Sequence, residues 1–416
     1  MAYNRKQRLN DNIKAIETAF ILDREQRTPT ARERLLLERY CGFGGLKCIL
    51  NPARELADAV HWAKSDLELF APTVELHRLI RENSKNESEY KQLMDSLKQS
   101  VLTAFYTPSA VTEALTDVLK EHQIIPEKVL EPSAGIGAFV DSVLDNNPKA
   151  DIMAFEKDLL TGKILRHLHP EQKVRIEGFE KIEKPFNDYF DLAISNIPFG
   201  DVAVFDPSYT AMKGMRALVT RRIHNYFFVK ALDTVRDGGL VAFITSQGVL
   251  NAKNNSAARF MMLYHADLVS AIRLPNNLFT ENANTEVGSD LIILQKNSQK
   301  ESLRGDDNLL DTVYNDENRI PTNNYFLEHP ERIIHTTAKL DTDPFGKPAM
   351  IYTHEDGVEG IAEDLRKMLN EDFGRNFHLS RYLGEEQTAS WNEVERGQIE
   401  QTQPELEHSE PALATG

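Results

Sequence analysis

Apolar and polar positions divide the chain into two regimes. Over residues 1 to 100 the pattern is mostly helical, with Leu35, Leu36 and Leu37 leading into a glycine-rich break at Gly42-Phe43-Gly44-Gly45, and strand signals are sparse. From Val129 onward short apolar runs alternate with helical stretches: Lys128 to Leu130, Ile152 to Phe155, Val174 to Glu177, Phe190 to Ser195, Leu240 to Thr245, Leu268 to Leu274 and Leu291 to Gln295. That alternation predicts α/β architecture with up to seven strands. The polar stretch Asn297 to Asn308 reads as a linker. Gln387 to Gly416, rich in Glu, Gln, Pro and Ser, reads as a disordered tail. The expected organisation is a helical region over 1–100, an α/β domain over 101–300, an acidic extension over 301–386 and the tail over 387–416.

Composition narrows the class. Hydrophobic residues make up 41% and charged residues 27% of 416, as in ordinary globular domains. The two cysteines, Cys41 and Cys48, form neither a CxxC knuckle nor a disulfide framework, which points to a reducing, cytoplasmic setting. No apolar run approaches the ~20 residues of a membrane span, and the start Met1 to Lys6 lacks the apolar stretch of a signal peptide. The net charge of -16 argues against a nucleic-acid partner only until it is divided. Residues 301 to 416 hold 25 acids and 10 bases, leaving 39 acids against 38 bases before them. The acidity is C-terminal, so local basic clusters decide the question of a polyanion partner.

Candidate chemistry begins at Val129 to Phe139, which follows a strand and opens a helix. Small residues at such a turn let a ligand approach the backbone and the helix N-terminus. By itself a G-x-G also suits any tight strand-to-helix turn. Val140 occupies the third position of the dinucleotide pattern, which demands Gly or Ala, so a pyrophosphate site is disfavoured. Glu156 ends the next strand, where a carboxylate can accept hydrogen bonds from both hydroxyls of a ribose.

Glu131-Pro132-Ser133-Ala134-Gly135-Ile136-Gly137-Ala138-Phe139 resembles motif I of S-adenosylmethionine-dependent methyltransferases, in the form found in amino-methylating enzymes. Phe105-Tyr106-Thr107-Pro108 resembles motif X of DNA adenine methyltransferases, whose Thr and following helix hold the methionine end of the cofactor. Thr107 as N-cap and Pro108 at the first helical position is an ordinary helix start as well. Phe155-Glu156 matches the acidic motif II. The resemblance implies S-adenosylmethionine bound by Tyr106, Thr107, Pro108, Glu131, Pro132, Ser133, Ala134, Gly135, Gly137, Phe139 and Glu156. At motif III the chain departs: Gly178-Phe179-Glu180 stands where relatives often place Asp-Phe, and Phe179 is expected either against the cofactor adenine or in the core.

Asp191-Leu192-Ala193-Ile194-Ser195-Asn196-Ile197-Pro198-Phe199-Gly200 resembles motif IV, [DNS]-P-P-[YFW]. An exocyclic amine conjugated to an aromatic ring is a poor nucleophile. Oxygens from the Asn196 side chain and the Ile197 backbone can accept its two N–H bonds and direct the nitrogen lone pair at the methyl sulfonium. Pro198 stiffens the turn and Phe199 supplies a face for a flipped base. In-line transfer of this kind needs no metal, and no metal-ligand spacing is present. Ile197 replaces the usual first Pro, which bears on the rigidity of the turn. Taken alone, the stretch also fits an exposed turn after a buried strand.

The resemblance covers about residues 101 to 300 and implies a doubly wound seven-stranded mixed sheet, the class I methyltransferase fold, with a helical N-terminal region. Motif order X, I, II, III, IV is like that of gamma-type adenine methyltransferases and type I modification subunits. With Tyr40 to Leu46 included, the wording is similar to the methylase part of methylase-helicase proteins of conjugative elements and phages. The Gly-rich piece itself suits a structural turn better than a phosphate loop. Lys213, Arg216, Arg221 and Arg222 lie just after motif IV, suited to phosphate contacts or to a solvated helix face. Residues 1 to 50 add 10 bases against 6 acids. His167 and His169, before Pro170, read as surface residues. The expected activity is methylation of adenine N6 in DNA, with DNA as partner, with or without a separate specificity or helicase component, and no membrane. The alternatives are an RNA-base or protein-glutamine methyltransferase, or a catalytically silent cofactor- or DNA-binding subunit.

Overall fold

Seven strands form one sheet: β1 (Lys128–Glu131), β2 (Asp151–Phe155), β3 (Lys173–Arg175), β4 (Phe190–Asn196), β5 (Val235–Ser246), β6 (Ala266–Leu274) and β7 (Ser289–Lys296), in the order β3-β2-β1-β4-β5-β7-β6. β1 to β5 pair in parallel, while β7 runs antiparallel to both β5 and β6. The central strands are near-continuous apolar runs, Leu240 to Ile244 and Leu291 to Leu294 among them, because helices cover both faces. The chain winds outward from β1 to β3 and then returns to β4. The strand order therefore reverses between β1 and β4, and the carboxyl ends of these two strands are where open α/β sheets place their binding crevice. This computed structural model describes residues 4–103, 106–212, 214–280, 287–303, 307–314, 319–343 and 346–385.

The N-terminal helices are α1 (Arg5–Glu25), α2 (Ala31–Leu37), α3 (Phe70–Glu82) and α4 (Glu87–Thr103), followed by α5 (Ser109–Glu121), α6 (Ala138–Asn146) and α7 (Leu159–Leu168). Leu160, Ile164 and Leu168 of α7 share one apolar cluster with the N-terminal helices, which places those helices outside the β2–β3 half of the sheet. The Gly-rich break is a buried structural turn. Asn12 donates to the Gly42 carbonyl (2.7 Å) and accepts from the Cys41 amide (2.9 Å), with Phe43 and Leu46 in the core. α5 opens at Ser109 with Pro108 as its cap residue and no side-chain cap bond, so Thr107 is not the N-cap its sequence suggests.

The acidic extension is folded. Two hairpins, β8 (Thr312–Tyr314) with β9 (Pro321–Asn323) and β10 (Thr337–Thr342) with β11 (Pro348–Thr353), precede a helix, Gly357–Asn376. Ile361, Leu365, Leu369 and Phe373 recur every fourth residue and bury one stripe of that helix, which packs on α5 and β6. Asp372 accepts from Ser270 (2.7 Å) and pairs with Arg332 (2.8 Å), so acids here neutralise buried partners. The expected linker begins tied to the sheet: Asn297 N donates to the His265 carbonyl, and Lys300 pairs with Asp267. One compact unit accordingly runs Met1–Phe377; in the second, His378–Gly416, the described part holds the short helix Leu379–Leu383. The tail expected to be disordered, 387–416, lies outside the described residues. Among the described residues no helix is long and apolar enough to cross a membrane, and no side-chain cluster is suited to hold a metal.

Candidate active site

β1 delivers Glu131 to the crevice, and the chain then turns through Gly135 (φ +57) and Gly137 (φ +98) into α6. Both angles lie in the left-handed region, where a side chain is strained. The turn is laced to the end of β2. Ala134 N donates to the Phe155 carbonyl (2.8 Å) and Gly135 N to Glu156 Oε2 (2.8 Å), while Glu156 Oε1 accepts from Asp158 N (2.7 Å). Motifs I and II are thereby one hydrogen-bonded assembly. Motif X joins it through Tyr106, whose ring sits where a side chain on Gly135 would begin, 2.8 Å from an ideal Cβ. Sequence reasoning expected the glycines to admit a ligand; the close neighbours at the Cβ positions of Gly135 and Gly137 are the rings of Tyr106 and His169.

Carboxyl groups crowd this end of the sheet. Glu131 is buried, accepts from Ser133 N (3.1 Å) and is pushed up to about 8 by burial, with the Glu156 charge adding. Burial pushes Glu156 up to about 8 as well, with Asp158 adding and outweighing the amide donors. Asp158 accepts from Ser96 Oγ of α4 (2.5 Å) and caps α7 through Thr161 N (2.8 Å). Thr107, Pro132 and Phe139 are buried, and Pro108 and Ser133 are half-buried. Such a site favours a ligand that donates hydrogen bonds or carries positive charge.

β4 carries motif IV to the same end of the sheet. Asn196 pairs in register with Ile244, and Ile197 N donates to the Ile244 carbonyl (3.0 Å). A proline at 197 has no N–H for that bond. The Ile replacement thus ties the start of the turn to β5 by a ladder bond in place of ring stiffness. Phe199 packs edge-to-face on Phe279, with ring centroids 6.3 Å apart.

Residues 88–352, more than half the chain, match the N-6 DNA Methylase family. The chain belongs to this family. It is 29% identical over 201 residues to the Defense against restriction protein B of Escherichia phage P1, covering 47% of this chain and 8% of that protein. It is 25% identical over 173 residues to the Type II methyltransferase M.XamI of Xanthomonas campestris pv. amaranthicola, covering 38% of this chain and 33% of that protein. The chain therefore spans only a minor part of either relative. Among solved structures, the ATP-dependent Type ISP restriction-modification enzyme LlaBIII bound to DNA shares 13% identity over 89% of this chain and 28% of that one, at a TM-score of 0.40.

Within this member of the family the remaining candidates separate. Phe179 is fully buried against Phe155, Tyr226 and Phe227, an aromatic packing role, and the Glu180 carboxylate folds back onto Gly178. Of the cations after motif IV, Arg216 is held by Asp233 (2.6 and 3.0 Å), and Arg222 by Asn254, Asn255 and Asp201. Arg221 is exposed, and Lys213 lies outside the described residues, as does Phe105. The two histidines are not surface residues. His167 Nε2 bonds Asp23 Oδ1 (2.8 Å), and His169, 5% exposed, lies against Gly137 with its Nε2 3.7 Å from Asp141 Oδ1, beyond hydrogen-bond distance; burial, with the Arg34 charge adding, lowers its pKa to about 4. The signal available in the sequence was its place at the end of an apolar helix, Leu159 to Leu168, buried on more than one face.

Proposed function

We propose that this chain carries the transfer chemistry of a DNA adenine-N6 methyltransferase that uses S-adenosylmethionine and acts on an extruded base. The observation that carries the reading is the lacing of the Gly135 turn to Glu156 at the same carboxyl end of the sheet that presents Asn196 to Phe199. The residues suit the cofactor. Glu156 spends one lone pair of each oxygen on a backbone amide and keeps others for ribose hydroxyls. The crowded carboxyls of Glu131, Glu156 and Asp158 favour a cation.

S-adenosylmethionine, when bound, supplies an electrophilic methyl group. Asn196 and the Ile197 carbonyl accept the two N–H bonds of the adenine amine and orient its lone pair, and Phe199 stacks on the base. Positioning carries the rate, since a well-oriented displacement recovers much of its barrier from proximity. DNA, RNA and protein glutamine share this planar-nitrogen logic; membership of the N-6 DNA Methylase family supports DNA. Calorimetry with S-adenosylmethionine, followed by tritiated-methyl transfer to DNA, RNA and protein pools, tests the reading. Binding with transfer to DNA alone is expected. Binding without transfer to any pool marks a silent subunit, and transfer to another pool moves the substrate class.

A further inference from the structure

The segment between motif IV and the helix α8 (Ile223–Thr234) is a stitched excursion. Its two limbs meet at Asp201–Arg222 (3.1 Å) and at Val204 N, which donates to the Thr220 carbonyl (2.8 Å). Its base is fixed to α8. Asp206, 3% exposed, accepts from Tyr226 Oη (2.7 Å) and pairs with Lys230 (3.2 Å), while Arg216 and Tyr209 both bond Asp233. Between the two anchors at Val204 and Asp206 stands Phe205, 77% exposed, with Val202 62% exposed beside it. An aromatic ring left in water on a mobile loop is ordinary; one flanked on both sides by anchored residues is presented.

The occupant follows from position and charge. Phe205 comes six residues after Phe199, and residues 200–222 carry four bases against two acids in a chain of net charge -16; Asp233 and Asp201 hold Arg216 and Arg222, while Arg221 is exposed on the same excursion. We propose that Phe205 enters duplex DNA beside the extruded base and fills the space it vacates, holding the duplex open. Apolar side chains that wedge between base steps act in this way, and an extruded base leaves a gap whose restacking opposes the reaction. The inference rests on the DNA-base reading above.

The test compares wild type, Phe205→Ala and Phe205→Trp, as full-length chains, on two duplexes. One carries the adenine that wild type methylates, located by sequencing methylated plasmid DNA; the other places the same adenine in a mismatch, already half released. Phe205→Ala is expected to lose roughly ten- to a hundredfold in transfer to the paired duplex, the scale of one lost base stack. On the mismatched duplex it should come within a few fold of wild type, and Phe205→Trp should restore both. Equal loss on the two duplexes, or no loss on either, overturns the proposal. If wild type transfers to no DNA at all, the DNA-base reading fails and this inference falls with it.

Discussion

Glu156→Ala tests the cofactor site most directly, because the structure gives this carboxylate two jobs. It accepts the Gly135 and Asp158 amides, at 2.8 and 2.7 Å, and it is placed to accept ribose hydroxyls. Hydrogen bonds to a charged group contribute about 1.5–3 kcal/mol each. Loss of a single ribose bond should weaken S-adenosylmethionine binding by about 1.5–3 kcal/mol, roughly ten- to a hundredfold, and loss of both by more. The Gly135 and Asp158 amides, both on half-buried residues, also lose their acceptor, so the stability cost should be about 1–3 kcal/mol. Glu156→Gln should also bind poorly, since its amide nitrogen must face one of two N–H donors. Protonation gives a second signature. Without ligand the carboxyl sits near 8, raised by burial, whereas ribose hydroxyls prefer its ionised form. Affinity should rise from pH 6 to 9, with proton release on binding near pH 7. Folding stability runs the other way: a carboxyl raised from 4.5 holds its proton more tightly when folded, so its contribution is full below about 4.5 and is lost as pH climbs through about 8. Calorimetry in buffers of different ionisation enthalpy reads the first effect, and denaturant titration across pH the second. A pH-independent affinity in wild type, matched within twofold by Glu156→Gln, would refute the ribose role.

Asn196→Ala should abolish methyl transfer while leaving cofactor affinity within about twofold, because it acts on the target amine; wild-type transfer rejects the motif IV assignment. Phe199→Ala should lose roughly one to two decades in transfer or DNA affinity, and Phe199→Tyr or Phe199→Trp much less, with 2-aminopurine fluorescence at the target position reporting extrusion. Unchanged transfer and fluorescence would make Phe199 a packing partner of Phe279 only. Arg216→Ala should cost about 1–3 kcal/mol of stability by leaving half-buried Asp233 with one donor fewer, with no change in the salt dependence of DNA binding. Arg221→Ala should do the reverse, lowering the salt slope by about one at constant Tm.

Much of this was legible in the chain because it is local. A strand buried on both faces must be an apolar run, and a strand-to-helix turn must be small and glycine-rich, so the seven strands and the turn at Glu131 to Phe139 announce themselves within a few residues. Motif order along the sequence carried the family likeness in the same way. The fold of the acidic extension was not legible for a related reason: its apolar stripe at Ile361 to Phe373 is masked by acids whose buried partners, Arg332 and Ser270, lie elsewhere in the chain.

Partners are what sequence leaves open. Four cations after motif IV look alike in one dimension, yet Arg216 is held by Asp233 on the next helix while Arg221 stays in solvent. Two glycines spaced for a ligand are approached by Tyr106 and His169, and Ile197 is tied by a carbonyl on a neighbouring strand. Composition and periodicity determined which segments are buried and how they turn, since those depend on side chains within one helical turn or strand. Which polar group meets which, and so which charges remain free to act, was decided only when the sheet brought distant segments together, because a buried charge or amide must find its partner wherever the fold places one.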